Sequence, residues 1–232
     1  MGYISRNEHD DGVVVLAVDR PPANAMDRSL LEELVPAIER VAEDPPRALV
    51  LAGRPGFFSA GADLKLVPTY GPEDQRAMVG GINAMALGVY TLPCPVVAAI
   101  TGHAIAGGLV LALCADVRIA SSAGSYGLTE VKVGVPYPQA AIGVVAAELS
   151  PQAARVLALG NELINADDCE RLGVFDEVLD PDQVVARALE HAARLAAFPR
   201  DVYARTKGDL RTATAERLRN AAADDPLLAR WT

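Results

Sequence analysis

Phe58-Ser59-Ala60-Gly61-Ala62-Asp63-Leu64 and its counterpart Gly102-His103-Ala104-Ile105-Ala106-Gly107-Gly108 decide how this chain is read. Each follows an apolar, strand-like run: Ala48-Leu49-Val50-Leu51 before the first, Pro95-Val96-Val97-Ala98-Ala99-Ile100 before the second. Each is built from residues too small to shield the backbone. Two such turns facing one another would aim two bare N–H groups at a single oxygen. That is an oxyanion hole, which needs donors and almost no side chains.

Working outward, Val13-Val14-Val15-Leu16-Ala17-Val18 predicts a buried strand, and Asp116-Val117-Arg118-Ile119-Ala120 predicts another. Asp27 is a plausible N-cap for a helix to about Glu43, with Leu30, Leu31, Leu34, Ile38 and Val41 as its apolar stripe and Pro45-Pro46 as its stop. A second helix is expected over Pro72 to Tyr90 and a short buried one over Gly107 to Cys114. Beyond Ser150 the pattern is almost entirely helical. Pro151 stands at a helix start, Asp167 and Asp182 at expected caps, and an amphipathic run covers Asp182 to Ala197. Buried strands joined by helices imply crossover connections. The expected fold class is therefore α/β, with a core over residues 1–149 and a helical C-terminal region over 150–232.

Composition narrows the function classes. The 232 residues are 51% hydrophobic and 22% charged, a globular balance. A net charge of −9 argues against a nucleic-acid surface. Cys94, Cys114 and Cys169 lie far apart with no CxxC pair, which reads as buried reduced thiols in a cytoplasmic protein. Met1 to Asp11 is polar and lacks the apolar run of a secretory signal. The longest apolar stretch, Ala104 to Ala115, is too short to span a bilayer.

Few chemistries remain. His9, His103 and His191 have no partners at ligand spacing, so no metal is expected. There is no GxSxG elbow and no GxGxxG fingerprint. An oxyanion hole without a nucleophile suggests stabilisation of an enolate, and an enolate needs a base. Glu130, in Tyr126-Gly127-Leu128-Thr129-Glu130-Val131, sits where partial desolvation would raise its pKa. Read locally, it also fits a surface strand residue or a salt-bridge partner.

The chain resembles the crotonase superfamily, the enoyl-CoA hydratase/isomerase family, over about Val13 to Lys207. The carrying segments are Arg20-Pro21-Pro22-Ala23-Asn24-Ala25-Met26, the two glycine segments, Cys114-Ala115-Asp116-Val117-Arg118-Ile119-Ala120, and the stretch around Glu130. The resemblance implies a crotonase-like spiral of ββα turns with a C-terminal helical trimerisation region. It implies a homotrimer, or a hexamer made of two trimers. It also implies an acyl-CoA substrate, with CoA part of the substrate and no separate cofactor. By the resemblance, Ala62 and Gly107 supply the thioester-oxygen donors and Glu130 the catalytic acid or base. Ala23, Ala60, Asp63 and Leu64 fall in the substrate-binding set, Asp63 as a residue that caps or orients the turn. Lys65 and Lys207 become candidates for the CoA phosphates. Tyr137, Val110 and the loop from Val67 to Arg76 are expected to shape the acyl pocket.

Departures from the family pattern bear on the reaction. Hydratases of the family use two glutamates, and the first would fall three residues after Gly107, where Val110 stands. Valine neither orients water nor transfers a proton. The Gly127-Leu128-Thr129-Glu130 run, with Pro138 eight residues after the glutamate, looks more like the single-glutamate Δ3,Δ2-enoyl-CoA isomerases. Three readings stay open. One is an isomerase with Glu130 as proton shuttle. Another is a hydratase or other crotonase reaction, with Glu148 or His103 supplying the missing group. The third is an acyl-CoA-binding protein without turnover.

Overall fold

The computed structural model describes residues 2–231; Met1 and Thr232 lie outside it. Elements follow one another as β1 (Ile4–Glu8), β2 (Val13–Val18), α1 (Arg28–Glu43), β3 (Ala48–Ala52), β4 (Gly56–Ser59), α2 (Pro72–Tyr90), β5 (Val96–Ile100), β6 (Gly102–Ile105), α3 (Gly107–Leu113), β7 (Val117–Ser121), β8 (Tyr126–Gly127) and α4 (Glu130–Val133). Then come α5 (Gln139–Glu148), α6 (Pro151–Ala154), α7 (Ala166–Arg171), β9 (Glu177–Leu179), α8 (Val184–Ala196) and α9 (Arg200–Ala223).

Two sheets form. The larger has the order β1-β2-β3-β5-β7-β9, parallel except for the β1–β2 pair, and the smaller is the parallel set β4-β6-β8. After the β1–β2 hairpin and α1, the ββα turns β3-β4-α2, β5-β6-α3 and β7-β8-α4 each lay one strand in the large sheet, one in the small sheet, and then a helix. This is the spiral expected from the sequence.

Strand alternation explains why the large-sheet runs are apolar throughout. Val14, Leu16, Leu49, Leu51, Val96 and Ala98 face one core, shared with α1, α2, α3 and α5. Val13, Val15, Ala48, Val50, Val97 and Ala99 face the other, covered by Val184, Ala188, Ala192 and Leu195 of α8. A sheet buried on both faces needs no polar alternation. Asp27 caps α1 as expected, its carboxylate accepting from Leu30 N at 2.9 Å.

The sequence reading is corrected in several places. The glycine segments are not bare turns directly after the large-sheet strands, because each contains a strand of the small sheet. The polar N-terminal stretch carries β1, an edge strand whose residues are mostly exposed. Beyond Ser150 the chain is almost entirely helical as expected, Arg155–Leu159 winding as a π-helix, and the strand that the reading missed there is the three-residue β9, which closes the large sheet. Asn165 and Gln183, rather than Asp167 and Asp182, hold the cap positions of α7 and α8, with Asn165 Oδ1 accepting from Asp168 N at 2.8 Å.

Candidate active site

Three parallel neighbours, β4, β6 and β8, end at one edge of the small sheet. Ala62 follows β4 by three residues, Gly107 follows β6 by two, and Glu130 follows β8 by three. The carboxyl ends of parallel strands are where α/β folds leave room for ligands. The three turns that carry small-sheet strands thus each deliver one component to the same place.

Side chains that never reach the cavity shape its backbone. Asn24 is fully buried, and its amide donates to Val18 O and Phe58 O at 2.9 and 3.1 Å. Ser59 Oγ donates to Asn24 O at 2.7 Å and accepts from Gly61 N at 3.1 Å. Arg20 binds Ala25 O and the Asp27 carboxylate, and stands 3.6 Å from Asp63. Gly61 has φ +74°, and a Cβ there would lie 2.7 Å from Ile105 O and 3.0 Å from Gly107 N. The two glycine segments therefore touch, and only glycine permits it. Ala106, with φ +53°, is an alanine held in the left-handed region just before Gly107. Such strain costs about 1–3 kcal/mol and persists where surrounding contacts impose it.

The consequence is a pair of free donors. Met26 N donates to Gly61 O and Asp63 N to Met26 O, so the bridge with Met26 is completed by the neighbours of Ala62. Gly107 opens α3, where an N–H has no acceptor in its own helix. Neither the Ala62 nor the Gly107 N–H finds an acceptor among the described residues.

Glu130 is the first residue of α4 and is 8% exposed. It is a buried helix residue, not the surface strand residue its local sequence allowed. Burial raises its carboxyl from the ordinary 4.5 to about 7, and the Tyr137 hydroxyl facing it partly opposes the rise. It shares a narrow cavity of about 50 Å³ with Met26, Ala60, Ala62, Leu64, Ile82, Gly107, Thr129, Val135 and Trp231, among others. Glu130 is the one titratable carboxyl in that lining. Wider clefts of about 280 and 290 Å³ flank α9, and of their charged groups Lys207 and Arg211 are both paired with Asp116.

Two free amide donors and one desolvated carboxyl thus surround one apolar cavity. Comparison with known proteins gives it a family. The sequence model described as enoyl-CoA hydratase/isomerase matches residues 8–229. The chain belongs to the enoyl-CoA hydratase/isomerase family, within the crotonase superfamily. It is 33% identical over 209 residues to a probable enoyl-CoA hydratase, echA17, of Mycobacterium avium (strain 104), covering 88% of this chain and 80% of that one. The enoyl-CoA hydratase EchA3 of Mycobacterium ulcerans Agy99 superposes with TM-score 0.89 at 30% identity, over 96% of this chain and 97% of that one. Human mitochondrial delta3-delta2-enoyl-CoA isomerase superposes with TM-score 0.88 at 30% identity, over 98% and 90%.

Within this crotonase frame the expected site residues separate. Ala60, Ala62, Leu64, Gly107 and Glu130 line one cavity. Ala23 stands behind it, its carbonyl accepting from Ala60 N at 3.0 Å. Asp63 orients the turn, accepting from Lys65 N at 3.1 Å. Lys65 is exposed beside Leu64. Tyr137 meets the cavity through Glu130 rather than through the lining.

Four expectations fail. Lys207 presents no cation to a phosphate: it is buried, and its ammonium donates to Cys94 O at 2.9 Å and to Asp116 at 2.8 Å. Val110 is fully buried in the core and does not line this cavity. The Val67-to-Arg76 segment contributes no lining residue, whereas Ile82, further along α2, does. Neither substitute for the missing acid reaches the cavity. Glu148 lies 3.7 Å from Arg211, and His103 Nδ1 accepts from Ser125 N at 3.0 Å beside the Phe57 ring. Thr129, Val135 and Trp231 were missed. Trp231 is distant in sequence and reaches the cavity with its indole N–H donating to Pro136 O at 2.9 Å.

Proposed function

We propose that this crotonase-family enzyme catalyses Δ3,Δ2-enoyl-CoA isomerisation, with Glu130 as the sole proton shuttle. The observation that carries this reading is the single carboxylate in the cavity, with valine at the position of the family's other acid. Two family glutamates position and activate a water. One carboxylate suffices to move a proton from one carbon of a substrate to another.

The proposed steps use the groups that line the cavity. The thioester oxygen of a 3-enoyl-CoA accepts from the Ala62 and Gly107 N–H groups. Ionised Glu130 takes a proton from C2, breaking the C2–H bond. Electrons move toward the thioester oxygen, and a dienolate forms against the two donors, each worth about 3 kcal/mol in the transition state. Glu130 then returns the proton to C4, leaving the double bond between C2 and C3. The reaction consumes no water and needs no redox partner. Lys65, exposed beside Leu64 of the cavity lining, is the cation assigned here to the CoA phosphates. Packing between subunits through the C-terminal helices, giving a trimer or a pair of trimers, belongs to the same reading.

A panel of 3-enoyl- and 2-enoyl-CoA esters with product identification tests this. The expected result is conversion of 3-enoyl to 2-enoyl esters, with Glu130→Gln losing turnover while still binding the ester. Faster hydration of 2-enoyl esters would establish a hydratase, in keeping with the names of several relatives. Tight binding without either product would establish a binding protein. Full isomerase activity in Glu130→Gln would remove Glu130 from the mechanism.

A further inference from the structure

Two enclosed polar atoms in the protein face one another without closing a hydrogen bond: Glu130 Oε2 and the Tyr137 hydroxyl. Buried oxygens without partners are rare, and an unmade bond of this kind asks for a reason. Of the two carboxylate oxygens, only Oε2 is enclosed in this way. Tyr137 is also fixed from both sides. Pro136 O accepts the Trp231 indole N–H, Gln139 N donates to Asp225 at 2.8 Å, and Ala140 N donates to Asn83 at 2.9 Å. Asn83 in turn donates to Asp225 at 2.9 Å. The C-terminal tail and α2 thus clamp the residues on either side of the phenol.

We propose that Tyr137 is a positioning residue for Glu130: its hydroxyl donates to Oε2 of the ionised carboxylate and leaves Oε1 to carry the proton between substrate carbons. The proposal rests on Glu130 being the base. Tyr137 itself stays protonated, since burial, and after it the neighbouring Glu130 charge, hold its phenol above the usual range. No other titratable side chain acts on Glu130. The phenol is therefore the one side chain able to favour its charged form. A carboxylate with one oxygen tied down also swings less, so the free oxygen keeps its aim during both transfers.

The test reads Glu130 without relying on turnover. In the free protein, ¹³C NMR of labelled glutamate carboxyls, with Glu130 assigned by its loss in Glu130→Gln, gives its titration midpoint. Tyr137→Phe keeps the ring and removes the donor. Its expected effect is a midpoint higher by about one pH unit. Replacing Tyr137 with 3-fluorotyrosine, a stronger donor, should move the midpoint down, which keeps the test open if the phenylalanine variant folds poorly. The acid limb of kcat/KM for a 3-enoyl-CoA should move with the midpoint, while KM holds. Midpoints that do not move in either variant would overturn the positioning role. If the midpoints move but the native protein isomerises nothing, the isomerase reading falls and the Tyr137–Glu130 pairing stands.

Discussion

The burial of Glu130 that suits it to the proposed role of base also works against the fold around it. Its carboxyl titrates near 7 when folded and near 4.5 when free, so the unfolded chain releases this proton at lower pH. Between those values the native state binds more protons than the unfolded one, and stability falls as pH rises. Above about pH 7 the buried carboxylate costs on the order of 3 kcal/mol. Glu130→Gln should therefore melt higher than the native protein at pH 8, with the gap closing toward pH 4.5. Thermal denaturation at the two pH values measures it, and an equal gap at both would contradict the assignment. With Glu130 as the proposed base, the same titration should give kcat/KM an acid limb centred near 7, because only the ionised form accepts a proton. Cys114 illustrates burial without function: its thiol is pushed up to about 12, far from any thiolate chemistry.

Elements differ in how plainly the sequence announced them. α1 was legible because the Asp27 cap and the Pro45-Pro46 stop bracket its apolar stripe, so tertiary contacts need not be known. The small sheet was not, because strands of four, four and two residues are too short to show a period of two. β1 was hidden by its polarity, which suits an exposed edge. At the site, the unpaired N–H groups of Ala62 and Gly107 could be anticipated from their small-residue segments and the family resemblance. Thr129 and Trp231 could not, because their place depends on which distant segments meet. The contact between β4 and α3 yields a prediction. A Cβ on Gly108 would lie 2.3 Å from Ser59 O, a backbone atom with nowhere to go. Gly108→Ala must push α3 away from β4 and carry the Gly107 N–H with it. The expected loss is about 1–3 kcal/mol of stability and about 100-fold in kcat, read by denaturation and by assay of the surviving folded protein. A stable variant of native activity would show that this close approach does not set the hole.

At the scale of the molecule, two cores lie back to back across the large sheet, and α9 is tied to them through charge. Lys207 and Arg211 both reach Asp116, at 2.8 and 3.1 Å, and Arg211 continues to Glu148 and stacks over Tyr90. Burial lowers Lys207 from its ordinary value and the Asp116 charge opposes that. The lysine that family resemblance suggested for CoA is thus a fastening for the C-terminal region. Lys207→Met keeps the apolar stem and removes the ammonium. It should cost about 3 kcal/mol of stability, the loss expected when one member of a buried pair is deleted. Acyl-CoA affinity of the folded variant should be unchanged, as calorimetry would show; weakened affinity would return Lys207 to the ligand. No helix among the described residues is long and apolar enough to cross a membrane.

The delivery of Ala62, Gly107 and Glu130 from three successive strand ends has a genetic consequence. An amide donor is not encoded by the identity of its own residue, so few substitutions at those codons erase it. The base is one codon and can be lost in a single step. Random mutation of this gene should thus yield many proteins that still hold a thioester and no longer turn it over. The holding scaffold would persist as raw material on which a different side chain could install a different reaction.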